Sequence, residues 1–250
     1  FLRLALVFVV LSATFSQSFA AEKFSFAVFG DNRDGDSVFQ RLIEQMNADP
    51  EIEFAVNCGD LTPRGIANEF EKYMKMTSRA NVTILPVIGN HDIIKSRTNY
   101  EKYLGPRYRS FDYGNSHFVL LDNVSQRGLG HVQWEWLEKD LRDHGKEHAF
   151  VLLHKPLVDP SDRFSHYVMR PKTEVEKLLK LFQETRVKYV IFGHIHGYGR
   201  VERENLVFLL AGGAGSPLYL PPFAGGFFHY VKITVEGETI RDQVVPITLN

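Results

Sequence analysis

Along the chain, short apolar runs alternate with stretches of helical period, which is the pattern of an α/β protein. Phe24–Phe29, Phe54–Cys58, Thr83–Ile88, Phe118–Leu121, Phe150–Leu153 and Tyr189–Phe192 are short, rich in β-branched or aromatic residues, and read as strands. Each stops at a polar cluster. Between them, Val38, Leu42, Ile43 and Met46 share one helical face, as do Trp134, Leu137 and Leu141, and again Val175, Leu178, Leu179 and Phe182. After Tyr189–Phe192 the alternation fades, and Leu206–Leu210, Phe227–Val235 and Thr239–Val245 read as consecutive strands. A second, more antiparallel sheet is expected from them.

The N-terminal stretch follows a different rule. Arg3 precedes the apolar run Leu4–Leu11, and a small, polar segment ends at Ser18-Phe19-Ala20, which reads as a secretory signal peptide over residues 1–20. The run is too short to span a bilayer. Export to a bacterial periplasm or medium is the expectation, with no stable membrane insertion once the leader is removed. From residue 22 to 250 nothing repeats and no biased linker divides the chain, so one domain is expected. A 44% hydrophobic content over 250 residues is enough to build one core.

Charge narrows the function. Lys plus Arg total 29 against 30 for Asp plus Glu, so no global field draws the protein to nucleic acid or to an acidic membrane. Any anionic substrate must be held locally. Cys58 is the only cysteine, so no internal disulfide can form, and its place at the end of an apolar run reads as buried packing, not as a nucleophile.

The chemistry lies where the strands stop. Gly30-Asp31-Asn32-Arg33, Gly59-Asp60-Leu61, Gly89-Asn90-His91-Asp92, His154 and Gly193-His194-Ile195-His196 all follow apolar runs. In open α/β sheets the ligand crevice lies beyond the carboxyl ends of the strands, so these five segments are expected to converge. Carboxylate, carboxamide and imidazole donors suit Zn, Mn or Fe better than an all-oxygen calcium cage. Two divalent ions against two ionised aspartates would leave residual positive charge to attract a phosphate. Taken alone, each residue has a plainer reading, since Asp and Asn are common in turns and caps.

As an ordered set, these five segments resemble the calcineurin-like metallophosphoesterases, with a more distant similarity to the purple acid phosphatases. The resemblance runs from about Phe24 to Val235. It implies a four-layer α-β-β-α sandwich of two mixed β-sheets flanked by helices. It also implies two divalent transition-metal ions (Mn, Fe or Zn), with Asp31 and His196 on one, Asp60 bridging, and Asn90, His154 and His194 on the other. The activity implied is hydrolysis of phosphate mono- or diesters by in-line attack of a metal-activated hydroxide on a small phosphorylated substrate. His91 would serve as proton donor, oriented by Asp92. Many family members carry a histidine where this chain has Arg33, and Pro63 stands where purple acid phosphatases place a tyrosine. Arginine does not ligate metals, so Arg33 is read as a phosphate clamp, a surface ion pair, or the mark of a weak first site. From that departure comes the alternative of a non-catalytic or weakly active phosphate- or metal-binding protein.

The remaining candidates are softer. His117 is expected to be a packed or exposed histidine at a strand end, and His131, His144 and His148 to lie on the surface. The Pro-, Gly- and polar-rich loops 159–171 and 211–226 should border the site, with His166 and Tyr167 within reach of substrate. Gly212-Gly213-Ala214-Gly215 offers backbone N–H groups that would suit a phosphate. Substrate identity and oligomeric state leave no readable mark.

Overall fold

The computed structural model describes residues 23–249, so the leader read at residues 1–20 lies outside the described residues. Two mixed sheets lie face to face. The first takes β1 (Lys23–Phe29), β2 (Ile52–Asn57) and β3 (Thr83–Pro86) in parallel, then adds β10 (His229–Glu236) and β11 (Thr239–Pro246) antiparallel along the free edge of β1, in the order β11-β10-β1-β2-β3. In the second, β5 (Ser116–Leu120), β6 (His148–Leu152), β7 (Val187–Phe192) and β9 (Leu206–Ala211) run parallel. Antiparallel β4 (Arg109–Tyr113) and β8 (Tyr198–Arg203) form its edges.

Alternation along the strands decides what each face meets. Phe26 and Val28 of β1 turn toward the second sheet, while Ala27 and Phe29 turn toward the helices. Between the sheets, Phe26 stacks on Phe54 at 5.1 Å and takes Phe118 and Phe150 edge-on at 5.1 and 5.2 Å, offset and T-shaped arrangements favoured by the ring quadrupole. Helices α1 (Asp36–Asn47), α2 (Ala67–Thr77) and α3 (Arg97–Leu104) cover the outer face of the first sheet. Helices α4 (His131–Asp143) and α5 (Lys172–Glu184) cover the second. The result is the expected four-layer α-β-β-α sandwich. Among the described residues, no helix is long and apolar enough to cross a membrane.

One expectation is overturned. The strands after Tyr189–Phe192 do not form a sheet of their own: β10 and β11 extend the first, whereas β8 and β9 extend the second, with β9 parallel to β7. Long-range pairing such as Phe24 with Val235 draws them apart. His148 also departs from its surface reading, being buried at the start of β6 with Nε2 donating to the Gly237 carbonyl at 2.8 Å. His131 is exposed as expected, but His144 is stacked on His117 at 4.6 Å.

His117 is packed. Its ring reaches Asp112 through Nδ1 at 2.7 Å and Asp140 through Nε2 at 2.9 Å, tying β4 and β5 to α4. Burial alone would lower its pKa, but these two carboxylates outweigh burial and raise it. Asp140 is held below the carboxylate range by the same contact, against its own burial. A raised histidine stabilises the fold below its unfolded pKa of about 6.5 and loses that contribution as pH rises through the folded value; a depressed aspartate contributes above about 3.9. Urea unfolding of Asp140→Asn beside wild type should therefore show the largest loss, about 1.5–3 kcal/mol, between pH 4 and 6.5 or so. That loss should shrink at alkaline pH, and a pH-independent difference would reject the charged pair.

Candidate metal centre

The five chemistry-bearing segments all leave the strands at one end of the sandwich. Asp31 follows β1, Asp60 follows β2, Asn90 follows β3, His154 follows β6, and His194 and His196 follow β7. The chain bends sharply at three of these places: Asp31, Asp60 and His194 have φ of 62°, 56° and 72°. Side chains with a Cβ rarely adopt that left-handed backbone, and such strain collects where a side chain has to be aimed. Here the aim is common to all. Asp31, Asp60 and His154 each present a ligand atom within 4.8 Å of the others, and all three are buried.

His154 defines the centre. Its Nδ1–H donates to the Cys58 carbonyl at 2.8 Å, and a carbonyl only accepts, so in the neutral ring Nε2 carries the lone pair. That lone pair faces Asn90 Oδ1 at 3.0 Å, His194 Nδ1 at 3.2 Å and Asp60 Oδ1 at 3.3 Å. Four acceptor-capable atoms crowd together in a buried place, an arrangement that a cation relieves. Donor atoms each about 2.0–2.2 Å from one ion stand about 3–3.5 Å from one another, and the observed separations match.

His196 repeats the device on the other side. Its Nδ1–H donates to the Pro217 carbonyl at 2.7 Å, leaving Nε2 turned to Asp31 Oδ1 at 3.5 Å. Burial would lower the His196 pKa, but Asp31 outweighs it; likewise burial would raise Asp31, but His196 and the neighbouring imidazoles hold it low. At 3.5 Å a shared proton makes a poor hydrogen bond, and Asp31 Oδ1 is left buried without a donor. A divalent ion suits the pair better. Burial, then the neighbouring His154, pulls the His194 pKa down to about 2, so this imidazole is neutral and ready to ligate.

Arg33 is turned inward. Its side chain is 14% exposed, with Nε 3.4 Å from Asp60 Oδ2 and the guanidinium paired with the exposed Asp34. His91 stands at the edge of the same cluster, with its backbone N–H on Asp60 Oδ1 at 2.9 Å and Nε2 3.9 Å from Asp60 Oδ2. The expected His91–Asp92 pairing is not made. Asp92 accepts from Thr62 N and Oγ1 at 2.9 Å and from Gly89 N at 2.8 Å, whereas His91 Nδ1 donates to the Pro63 carbonyl at 2.9 Å. The short 3₁₀ turn His91–Ile93 sends the two neighbours in different directions. Burial and the Asp60 charge also raise the Asp92 pKa well above the carboxylate range. Asp92 thus ties the Asp60 and Asn90 loops together, and a backbone carbonyl orients His91.

Further supports come from residues to which the sequence assigned no such role. Asn123 accepts from the backbone N–H groups of His154 and Lys155 at 3.1 and 3.0 Å. Asn32 links the first two loops, donating to Leu61 O and accepting from Asn57. Tyr219 lies flat on the His196 ring, 4.0 Å between centroids, and Tyr167 meets His194 at 5.3 Å, so loops 159–171 and 211–226 do border the site. The glycine-rich segment serves structure: Gly212 N, Ala214 N and Ser216 N bond to the carbonyls of Gly197, Gly30 and Asp31. Cys58 is fully buried, its thiol pushed up by burial and by Asp31, and its carbonyl matters more than its sulfur.

Comparison with known proteins identifies the family. Residues 24–198 match the calcineurin-like phosphoesterase family, and the chain belongs to it. It is 27% identical over 191 residues to a 3′,5′-cyclic-nucleotide phosphodiesterase of Nostoc sp., covering 72% of this chain and 66% of that protein. With the 3′,5′-cyclic adenosine monophosphate phosphodiesterase CpdA of Escherichia coli it shares 27% identity over 153 residues, 58% of this chain and 55% of the other. The chain therefore spans less than two thirds of the length of these relatives. Among solved structures, a purple acid phosphatase from yellow lupin seeds superposes with a TM-score of 0.70 at 18% identity, over 90% of this chain and 53% of that one. That likeness is one of fold.

Close approach makes Gly193 indispensable, because a Cβ there would strike the Asp31 carboxylate. Gly193→Ala is expected to weaken Mn or Zn binding by calorimetry about 10- to 100-fold, the range for lost support of a ligand, with the circular dichroism spectrum unchanged. Wild-type affinity in this variant would mean that Asp31 does not hold metal.

Proposed function

We propose that the protein hydrolyses phosphate mono- or diesters of small molecules by in-line displacement at phosphorus, with two divalent transition-metal ions of the Mn, Fe or Zn type as cofactors. The observation that carries this reading is the crowding of Asp60, Asn90 and His194 donors around the His154 Nε2 lone pair, with Asp31 and His196 alongside. Asp31, Asp60 and His196 would hold one ion, and Asp60, Asn90, His154 and His194 the other. When bound, such ions lower the pKa of a water and neutralise charge on the phosphoryl oxygens.

This chain's own residues supply the rest. The carbonyls of Cys58 and Pro217 keep His154 and His196 in the tautomer that presents Nε2. As water oxygen bonds to phosphorus and the ester P–O bond breaks, the departing alkoxide needs a proton. His91 is placed to give it from Nε2 as the imidazolium, since the Nδ1 proton is committed to Pro63 and the neutral ring would present only a lone pair at Nε2. Arg33, beside Asp60, is placed to meet an equatorial phosphoryl oxygen. Diesters belong in the proposal because the similar Nostoc and E. coli proteins are named as cyclic-nucleotide phosphodiesterases. Near-neutral charge supports a small substrate over nucleic acid.

A second reading draws on one specific observation. The Arg33 guanidinium leans on Asp60, the carboxylate that would bridge the ions, and so opposes a cation in the first site. A protein holding one metal or phosphate with little turnover would follow. Arg33→Ala separates the two: a clamp predicts a higher KM at unchanged metal content, whereas an obstructed site predicts more metal per chain and a faster rate. For His91→Ala, kcat should fall about 10²- to 10⁴-fold, more for an alkyl ester than for p-nitrophenyl phosphate, whose leaving group needs no proton. An equal loss on both esters would remove His91 from proton transfer.

A further inference from the structure

Beside the metal centre stands a group of aromatic rings that the chemistry above does not use. Tyr219 begins it, stacked on His196 at 4.0 Å with planes 24° apart. Tyr167 sits edge-on to His194 at 5.3 Å and 5.8 Å from Tyr219. Phe164 completes a triangle, 5.9 Å from Tyr219 and 5.8 Å from Tyr167. These rings come from two loops distant in sequence, and the triangle runs outward from two imidazoles of the candidate centre.

Phe164 and Tyr167 are half-buried against the core of the second sheet, and Tyr219 is the ring of the three that is left open. Tyr219 stays 37% exposed despite three ring contacts, and Phe223 on the same loop is 85% exposed under the Arg163 guanidinium. An aromatic face left open beside a polar site, backed by two half-buried rings, suits a ligand. The rim has polar character too: exposed His166 lies 4.5 Å from Tyr167, and the tyrosines add phenolic hydroxyls. A flat heteroaromatic ring with polar edges suits such a surface better than an aliphatic chain, because it stacks on ring faces while its edge atoms meet hydrogen-bonding groups.

We infer that Phe164, Tyr167 and Tyr219 form the platform on which the base of a nucleoside phosphoester stacks while its phosphate lies at the metal centre. The assignment of phosphate to that centre rests on the phosphoesterase reading; the base platform has its own support in the open Tyr219 face and the two half-buried rings beside it. These three residues set which ester is held and take no part in bond breaking.

The test uses the full metal-loaded protein with adenosine and ribose as probes, neither carrying a phosphate. Saturation-transfer NMR should show transfer to adenosine H2 and H8 and little to ribose. Tyr219→Ala combined with Phe164→Ala should weaken adenosine at least about tenfold, and Tyr219→Phe should retain it, with metal content by mass spectrometry equal in all three proteins. In parallel, the ratio of kcat/KM for 5′-AMP over ribose 5-phosphate, which share one leaving oxygen, should fall toward one in the double variant. Adenosine binding without turnover of either monoester or of bis-p-nitrophenyl phosphate would sustain the platform and sink the phosphoesterase reading. Equal turnover of both esters with no adenosine signal would overturn the platform and leave the hydrolase standing, as would adenosine binding indifferent to both substitutions.

Discussion

Two backbone carbonyls govern the chemistry of this protein. Cys58 and Pro217 each take the Nδ1–H of a histidine, and by doing so fix which nitrogen of His154 and His196 is left with a lone pair. Because a carbonyl has no proton to offer, the choice of tautomer is not negotiable while the fold is intact. The lone pairs then point at oxygen atoms of Asp60, Asn90 and Asp31. Around His154 such contacts are unfavourable without a cation and favourable around one, while His196 and Asp31 attract each other as a long ion pair that a cation would bridge, so two peptide groups set the site up for metal.

Everything beneath the site serves to hold that placement. Parallel strands of two sheets end at one side of the sandwich, and an aromatic layer around Phe26 locks the sheets together. Left-handed backbone at Asp31, Asp60 and His194 redirects each side chain within a single residue. Glycines at the turns admit the ligands without a clash, as at Gly59, where a Cβ would stand 2.6 Å from His154 Nδ1. Conformational strain here is compensated by the surrounding hydrogen bonds, among them Asp92 to Thr62 and Gly89 and Asn123 to the His154 segment.

Much of this was legible in the chain, and the failures have physical reasons. Strands buried on both faces announce themselves as apolar runs, so their ends, and the polar residues that follow, could be located before any coordinates. Edge strands β4 and β8 are half-exposed and carry little such signal, and α2 buries only Phe70 and Tyr73. The partition of β8 to β11 between sheets depends on partners some two hundred residues away in the case of β1 and β10, which local pattern does not encode. Adjacency misled at His91-Asp92, where a tight turn parts the side chains. Asn123 and the Tyr219 ring act as single residues with no motif around them, and Asn32, though inside the first segment, shows its linking role only in the folded arrangement.

Anomalous diffraction from crystals of the protein grown with Mn or Zn tests the central claim most directly. The account predicts a peak within about 2.3 Å of His154 Nε2, His194 Nδ1, Asn90 Oδ1 and Asp60 Oδ1 together. A map with metal bound elsewhere, and the same four atoms hydrogen-bonded to water alone, would contradict it.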